Sequence, residues 1–241
     1  MRNPRNWLFA SDVDGTWTTK KQTALVQVVD DYALPSEAND EMIALRARFT
    51  TPASTGRLTP EQEMEWLQRT LDMYVTHRVT RQAWQAALDN VVLRDGVVET
   101  YAWCVSVGLR TCAVSYGCAD FIEYIAMRHG LQIDAVYAGR LIHDGDLVVG
   151  YVEETLTIPE QKGERSRHFA DTHGVPHERL IGAGDTGGDR HIGHLKEHRI
   201  GIAETDEAAE KLRALDIMGE VHVTNSFHPV LDSIKRRIGL P

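Results

Sequence analysis

The sequence predicts an α/β protein whose mostly parallel sheet receives a helical insertion directly after its first strand. Beyond residue 95, short apolar runs alternate with amphipathic helical segments, which is the pattern of parallel strands joined by right-handed crossovers. Between the first apolar run and residue 94, the apolar residues follow helical spacing without a strand pattern. We therefore expect one sheet built from both sides of this interruption, with residues 17–94 as a separate helical segment.

The first strand is predicted at residues 7–10, and it leads directly into two aspartates. Asp12 and Asp14 lie two positions apart, and Gly15 allows a backbone turn that other residues adopt less readily. Two carboxylates this close repel each other unless a positive group lies between them, and Mg²⁺ takes such hard oxygen ligands. The pattern indicates phosphoryl chemistry or metal binding, with a polar strand end carrying solvated aspartates as the alternative.

Residues 17–94 are predicted to form several helices. Thr59 has the residue type of an N-cap, Pro60 suits the first helical position, and Thr80 is placed to cap a further helix. An earlier helix is predicted over residues 37–48. Apolar side chains recur at helical spacing after Thr59, at Met64, Leu67, Leu71 and Tyr74. These stripes predict packing between helices and not a cofactor site.

From residue 95 onward, strands and helices alternate. Strands are predicted over residues 109–114, 135–138, 179–183, 200–203 and 221–223. Helices are predicted over residues 97–107, 119–128 and 159–173, and a helix is expected after each of the last two strands. Gly108 and Gly130 are expected to end their helices in the left-handed conformation. Asp144 and Gly145 are expected to turn a hairpin over residues 141–149.

Several polar side chains directly follow the predicted strands. Asp12 and Asp14 follow the first strand, Ser115 follows the second, and Asp185 and Asp189 follow a later one. In open parallel sheets, ligands bind beyond the carboxyl ends of the strands. These side chains are therefore expected to meet at one edge of the sheet.

The composition limits the classes of protein that this chain represents. Its 241 residues allow one large domain or a domain with an insertion, and 42% of them are hydrophobic. The net charge of −9 and the lack of a Lys/Arg tract argue against general nucleic-acid binding. No apolar run reaches membrane-spanning length, and no signal peptide is expected after residues 1–6. Three cysteines without a Cys-x-x-Cys pattern predict free thiols in a reducing cytoplasm, and the oligomeric state stays open.

The polar motifs resemble those of haloacid dehalogenase superfamily phosphatases, in the same order along the chain. That family has Asp-x-Asp-x-Thr after the first strand, Ser or Thr after the second, then a Lys, and finally an acidic pair. The matching segments are Asp12-Val13-Asp14-Gly15-Thr16, Ser115, Lys162 and Gly184-Asp185-Thr186-Gly187-Gly188-Asp189. The resemblance implies a Rossmann-like parallel-sheet core domain of residues 1–16 and 95–241, with a helical cap domain of residues 17–94.

The resemblance also implies a role for each acid and for the lysine. Asp12 is the implied nucleophile that forms an aspartyl-phosphate, and Asp14 is the implied general acid and base. Lys162 is expected to pair with Asp12 and with the phosphate. The implied Mg²⁺ ligands are Asp12, Asp14 through its backbone carbonyl, Asp185 and Asp189, the last binding directly or orienting water.

The implied phosphate-binding residues are Thr16, Ser115, Tyr116, Gly117 and Lys162. Ser115 is expected to act through its hydroxyl, and its two successors through backbone N–H groups at a helix N-terminus. Some of these residues also have an ordinary structural explanation. Ser115 and Asp189 are both suited to cap a helix, and Lys162 is suited to a solvated helix surface.

Two features narrow the branch of the family. Asp14 argues against a dehalogenase, because members of that branch lack the second acid. The lack of an Asp-Lys-Thr-Gly sequence argues against a transport ATPase. Gly188 stands where many phosphatases of the family have Asn, which is a departure close to the implied metal.

Phosphoserine phosphatases and pyrimidine 5′-nucleotidases share a helical cap in this position. Residues 57–66 and the final acidic motif resemble the nucleotidases more closely, so a nucleoside 5′-monophosphate is the first expected substrate. Phosphoserine and a sugar phosphate are the alternative small-molecule phosphate esters. A phosphotransferase, and a protein that binds a phosphorylated ligand without turnover, stay open. Substrate contacts are hypothesised for Arg57, Glu63, Trp66, His77 and Arg78.

Overall fold

Seven strands form one sheet in the part of the chain that the computed structural model describes, residues 4–19, 24–55 and 58–240. The strands are β1 Leu8–Ser11, β2 Arg110–Cys118, β3 Ala135–Asp144, β4 Leu147–Val152, β5 Leu180–Gly184, β6 Arg199–Ala203 and β7 Glu220–Val223. Their spatial order is β4, β3, β2, β1, β5, β6, β7. All neighbouring strands are parallel except β3 and β4, which form the predicted hairpin. The predicted α/β fold class is confirmed.

Five of the described α-helices lie between β1 and β2, four of them before residue 95, and the other four follow β2. The first four are α1 Leu25–Ala33, α2 Ser36–Thr55, α3 Pro60–Thr76 and α4 Arg81–Leu88. The others are α5 Val97–Val107, α6 Ala119–His129, α7 Pro159–Thr172, α8 Asp206–Ala214 and α9 His228–Ile238. We call residues 17–94, where α1 to α4 lie, the insertion. None of the described helices combines the length and the apolar character needed to cross a membrane.

The predicted helix boundaries have the expected local chemistry. The Thr59 hydroxyl accepts a hydrogen bond from the Gln62 N–H, and the Gln62 side chain accepts one from the Thr59 N–H in return. Thr80 caps α4 in the same way by accepting from the Ala83 N–H. Gly108 and Gly130 end α5 and α6 with φ angles of 75° and 70°. Each side-chain cap stabilises its helix by roughly 0.5–2 kcal/mol.

Two strands are longer than the sequence predicts. β2 continues through residues 115–117 to Cys118, with a register shift against β3 between Val114 and Cys118. β3 is a single strand that pairs with β2 along its first half and with β4 along its second half. The apolar pattern breaks at Gly139 and Arg140, where the strand changes partners, so the sequence suggested two separate pieces.

The insertion packs directly on the sheet region through one continuous apolar cluster. Trp84 and Tyr74 place their rings 5.2 Å and 5.9 Å from the ring of Phe121 on α6. The N-terminus of α4 also meets the hairpin, because the Arg81 N–H donates to the Asp146 carbonyl. These contacts fix the insertion beside β3 and β4. The division into a core domain and a cap domain stays a prediction.

Candidate active site

Three buried carboxyl groups meet at the carboxyl ends of β1 and β5. Asp12 directly follows β1 and continues its pairing, because its N–H donates to the Ala183 carbonyl on β5 at 2.9 Å. Asp185 follows β5, and Asp189 lies four residues further, in a short 3₁₀ helix. One oxygen of each of the three aspartates lies within 4.8 Å of the others. The predicted convergence therefore holds for Asp12, Asp185 and Asp189.

Lys162 joins two of these acids from the first turn of α7. Its Nζ donates to Asp12 Oδ1 and to Asp189 Oδ1, both at 2.7 Å, and its side chain is 5% exposed. Lys162 is therefore not a solvated helix lysine. Burial alone would lower the pKa of Lys162, but the carboxylates of Asp12 and Asp189 outweigh it and raise that pKa. The ammonium group stays protonated beside the acids.

Asp189 also caps the turn that carries Asp185. Its Oδ2 accepts hydrogen bonds from the Asp185 N–H at 3.0 Å, and from the Thr186 N–H and hydroxyl at 2.9 and 3.0 Å. The N-cap of the short helix is Thr186, and Asp189 is its partner in a capping box, while Oδ1 of Asp189 remains directed at Lys162. A Cβ on Gly184 would lie 2.3 Å from the Asp189 Cβ, so this close packing requires glycine.

Gly15 and Thr16 pack against the carboxylate of Asp185. Gly15 has a φ of 77°, and a Cβ there would lie 2.4 Å from Asp185 Oδ2. The Thr16 hydroxyl is fully buried and donates to Asp185 Oδ1 at 3.4 Å. Thr16 therefore contacts a site acid, and its assignment to the phosphate-binding set stays a prediction.

Asp14 stands apart from the three-acid cluster. Its Oδ1 accepts a hydrogen bond of 2.7 Å from the Leu25 N–H at the start of α1, and its other oxygen faces Gly117 on β2. Burial raises the pKa of Asp14, although the Leu25 N–H works against that shift. A carboxyl group that tends to keep its proton is suited to donate it. The sequence missed this separation, because the contact depends on where α1 starts.

Ser115, Tyr116 and Gly117 lie within the last part of β2 and not at the start of α6. Ser115 is buried, and its Oγ accepts a hydrogen bond from the Gly117 N–H at 3.1 Å. The Tyr116 hydroxyl donates to the Glu63 carbonyl on α3 and so ties the insertion to the sheet edge. The roles of these three residues in phosphate binding stay predictions.

A cleft of about 470 Å³ opens between the insertion and the strand ends. Its apolar lining includes Leu58, Trp66, Tyr116, Leu215 and Ile217. Trp66 is braced by Phe49, whose ring stacks on it at 5.9 Å with an angle of 4° between planes. Arg78 is exposed beyond the far end of α3 and is not among the lining residues, and neither is His77. Arg57 lies outside the described residues.

Two glutamates face the same cleft, and only one of them was a sequence candidate. Burial, followed by the charge of Glu160, raises the pKa of Glu63 to about 7. Glu160 is on the first turn of α7, where an acid ordinarily stabilises the helix, so no sequence pattern singled it out. Arg190 Nη2 donates to Glu160 Oε1 at 3.2 Å. The cleft therefore carries acids on both of its sides.

The three-acid cluster fits a divalent cation. Burial raises the pKa of Asp12; Lys162 opposes the shift, while the nearby charges of Asp189 and Asp185 add to it. One lysine therefore leaves negative charge uncompensated among three buried carboxyl groups. Carboxylate oxygens are the hard donors that Mg²⁺ prefers. Asp12, Asp185 and Asp189 are the side chains that would hold such an ion.

Comparison with known proteins gives one family match. The model of the haloacid dehalogenase-like hydrolase family matches residues 9–194. The phosphoserine phosphatase of Haemophilus influenzae (strain ATCC 51907 / DSM 11121 / KW20 / Rd) is 26% identical over 172 residues, which cover 68% of this chain and 52% of that protein. The chain thus spans about half the length of this curated relative.

Solved structures with the same fold include a nucleotidase and a phosphoserine phosphatase. Cytosolic 5′-nucleotidase IIIB bound to cytidine matches with a TM-score of 0.78 at 17% identity, over 98% of this chain and 87% of that one. A phospho-aspartyl intermediate analogue of phosphoserine phosphatase matches with a TM-score of 0.69 at 20% identity, over 95% and 99% of the two chains. At these identities the likeness concerns the fold.

Proposed function

The chain belongs to the haloacid dehalogenase-like hydrolases, and we propose that it is a Mg²⁺-dependent phosphomonoesterase with Asp12 as its nucleophile. The observation that carries this proposal is the buried contact of Lys162 with both Asp12 and Asp189 at the strand ends. Lys162 occupies one oxygen of Asp12, which leaves the other oxygen for attack on phosphorus. An acid with a raised pKa, Asp14, lies nearby but outside the cluster.

In the first step, a carboxylate oxygen of Asp12 forms a bond to phosphorus, and the bond from phosphorus to the leaving oxygen breaks. Asp14 gives its proton to that leaving oxygen, which departs as an alcohol. Lys162 stays protonated and offsets charge on Asp12 and on the phosphoryl oxygens. The product of this step is an aspartyl-phosphate on Asp12.

In the second step, Asp14 takes a proton from a water molecule that attacks the aspartyl-phosphate. The bond between phosphorus and the Asp12 oxygen breaks, which releases inorganic phosphate and restores both acids. Bound Mg²⁺ would neutralise the phosphoryl charge that otherwise repels the nucleophile. We propose Asp12, the Asp14 carbonyl, Asp185 and Asp189 as its protein ligands.

Phosphate binding and the helical cap complete this proposal. Thr16, Ser115 and the backbone N–H groups of Tyr116 and Gly117 remain the proposed phosphate contacts. Residues 17–94 are the proposed cap domain, which covers the strand ends and excludes water while the aspartyl-phosphate forms. The buried, free thiols of the three cysteines agree with the cytoplasmic location that we propose.

A nucleoside 5′-monophosphate is the substrate that the cleft supports best. The cleft is much larger than a serine side chain requires, and Trp66 and Tyr116 offer aromatic surface for a flat base. The carboxylate of phosphoserine would face Glu63 and Glu160, and Arg190 already contacts Glu160. Phosphoserine stays the second candidate because the curated relative is a phosphoserine phosphatase. A sugar phosphate is a third.

The experiment is a screen of phosphate release with Mg²⁺ from nucleoside 5′-monophosphates, phosphoamino acids and sugar phosphates. The expected result is a kcat/KM for at least one nucleotide that exceeds every phosphoamino acid and sugar phosphate. Highest activity on phosphoserine would select the second candidate. Binding of these esters without phosphate release would indicate a protein that is catalytically silent, and formation of a new phosphate ester would indicate a phosphotransferase.

A further inference from the structure

Arg94 is a buried cation without a role in the two proposed catalytic steps. Its guanidinium is 1% exposed and donates hydrogen bonds to four acceptors. Nη2 donates to the Gly15 carbonyl at 2.8 Å and to Glu204 Oε1 at 3.0 Å. Nε donates to the Thr18 carbonyl and Nη1 to the Thr224 carbonyl, both at 3.1 Å. One side chain thus joins three separate segments of the chain.

All four acceptors lie at the edge of the sheet that carries the candidate site. Two of them follow β1, one follows β6 and one follows β7. The backbone of Arg94 is held there as well, because its N–H donates to the Trp17 carbonyl at 2.7 Å. Arg94 therefore fixes the loop after β1 at the point where the chain returns from the insertion.

The loop that Arg94 holds is in direct contact with a site acid. Gly15 lies so close to Asp185 that a Cβ would fall 2.4 Å from Asp185 Oδ2. The Gly15 N–H donates to the Thr18 hydroxyl at 3.1 Å, so the two carbonyls that Arg94 binds belong to one tight turn. A displacement of this turn would move the backbone that packs against the Asp185 carboxylate.

We propose that Arg94 is a positioning residue that holds the turn at Gly15, and through it Asp185, in place for binding of a divalent cation. This inference rests on the metal site of the proposed function. Arg94 acts through the turn at Gly15 and also attracts the charge of Asp185, and it is not itself a proposed metal ligand. Hydrogen bonds to all four acceptors at once require the planar, forked guanidinium, since a lysine carries its charge on a single nitrogen and reaches fewer of them.

The test compares Mg²⁺ binding by the wild-type chain with binding by Arg94→Lys, which keeps the charge and loses the fork. Mg²⁺ is titrated into the folded, metal-free chain in a calorimeter, and the free Mg²⁺ concentration at half-saturation is taken as the Mg²⁺ midpoint. For Arg94→Lys, we expect this midpoint to increase by about 10–100-fold, as for other residues that support metal ligands.

Arg237 provides a matched control at the opposite edge of the sheet. It also donates to a carboxylate, that of Glu220, and to backbone carbonyls, those of Glu197 and Ser233. Glu220 is the first residue of β7, whereas the candidate site lies beyond the last residues of the strands. We expect Arg237→Lys to lower the melting temperature without metal and to leave the Mg²⁺ midpoint at its wild-type value.

A second variant, Glu204→Gln, keeps Arg94 and removes the charge of one acceptor. It should raise the Mg²⁺ midpoint by a smaller factor, and it decides the question if Arg94→Lys does not fold. Unchanged midpoints in the variants that fold would overturn the role of Arg94, and so would an equal increase in Arg237→Lys. A wild-type chain that does not respond to Mg²⁺ would overturn the proposed metal site, and this inference with it.

Discussion

The strand ends and the insertion both bury carboxyl groups, but they surround them differently. Asp12 and Asp189 lie against the ammonium group of Lys162 at 2.7 Å. In the insertion, Asp30 is 1% exposed and accepts a hydrogen bond of 2.7 Å from the Tyr74 hydroxyl, with Arg46 only at 3.8 Å. Burial is the largest cause of the raised pKa of both Asp12 and Asp30.

The two regions differ in whether their buried acids can bind a further positive charge. At the strand ends, Lys162 contacts two of three clustered acids, whose negative charge exceeds that of one lysine, so the region is suited to a metal and to a nucleophile. Asp30 is enclosed by α1, α2 and α3, and its raised pKa of about 7 means that it holds a proton near neutral pH. The same residue type is thus suited to chemistry in one region and to packing in the other.

The largest expected effect comes from Asp12→Asn, which keeps the shape of the side chain and removes the attacking charge. Turnover should fall by about 10⁴-fold or more, since loss of a nucleophile removes the whole covalent route. The melting temperature should stay close to that of the wild type, because Asn still accepts a hydrogen bond from Lys162, which keeps Asp189 as its charged partner. Phosphate release and thermal melting are measured on the same sample, and wild-type turnover in the variant would contradict the assignment.

Metal removal tests the strand ends without a substitution. EDTA should stop phosphate release, because the buried carboxyl groups then repel the phosphate without the metal's charge to offset it, and added Mg²⁺ should restore it. Ca²⁺ should restore it poorly, since its larger and looser coordination shell misplaces the nucleophile. The control is a second addition of Mg²⁺ to the Ca²⁺ sample. Full activity in the chelator would remove the metal from the mechanism.

Glu63→Gln tests whether the insertion contributes to substrate selectivity. The charge on the cleft changes while the side-chain shape stays, so preference among phosphomonoesters should change by more than about tenfold, or about 1.4 kcal/mol. Hydrolysis of para-nitrophenyl phosphate should hardly change, because that small ester depends on the strand ends alone. The measurement is kcat/KM for nucleotides, phosphoamino acids and sugar phosphates relative to this ester.

Trp66 provides a second test of the cleft, and Arg78 provides its control. Trp66→Phe reduces aromatic surface in the cleft and should shift preference as Glu63→Gln does. Arg78→Lys is the control, because Arg78 is exposed beyond the far end of α3 and does not line the cleft. Equal losses on every substrate in the cleft variants would mean that these residues are structural and that specificity lies elsewhere, such as at the end of β2 after Ser115.

The sequence predicted the strand-end cluster well because topology alone brings its members together. Asp12 and Asp185 each follow a strand, and parallel neighbours must end at the same edge of the sheet. Lys162 was harder, since a helix lysine has no distinctive spacing, and the resemblance to the family singled it out. The fold class followed from the alternation of apolar runs and helices, and the helix caps followed from residue types at their boundaries.

The sequence failed where a contact depends on how separate segments pack. Asp14 is held by the backbone of Leu25, and Glu160 meets Glu63 across the cleft, so neither contact has a local signal. Arg94 reaches acceptors up to 130 residues away along the chain. Such contacts are fixed by the way in which distant segments pack against one another, which periodicity does not encode.

Asp30→Asn has the smallest expected effect on turnover and a clear effect on stability. Folding raises the pKa of Asp30 from a usual value of 3.8 to about 7, so between these values the folded chain keeps a proton that the unfolded chain releases. Stability is therefore lost as the pH rises through this interval, by as much as about 4 kcal/mol. Asn keeps the acceptor for Tyr74 and cannot titrate, so the variant should lose less stability than the wild type.

The measurement is the free energy of urea unfolding in EDTA at about pH 4.5 and about pH 7.5, which lie near the two ends of the interval. Tyr74 on α3, Arg46 on α2 and Asp31 on α1 are the charged or titratable neighbours of Asp30. Asp31→Asn is the matched control, since Asp31 is adjacent, more exposed and also within 3.5 Å of Arg46. The control should keep the wild-type pH dependence. An Asp30→Asn chain that still loses as much stability as the wild type would show that another group binds the proton, and the contrast between the two buried acids would no longer hold.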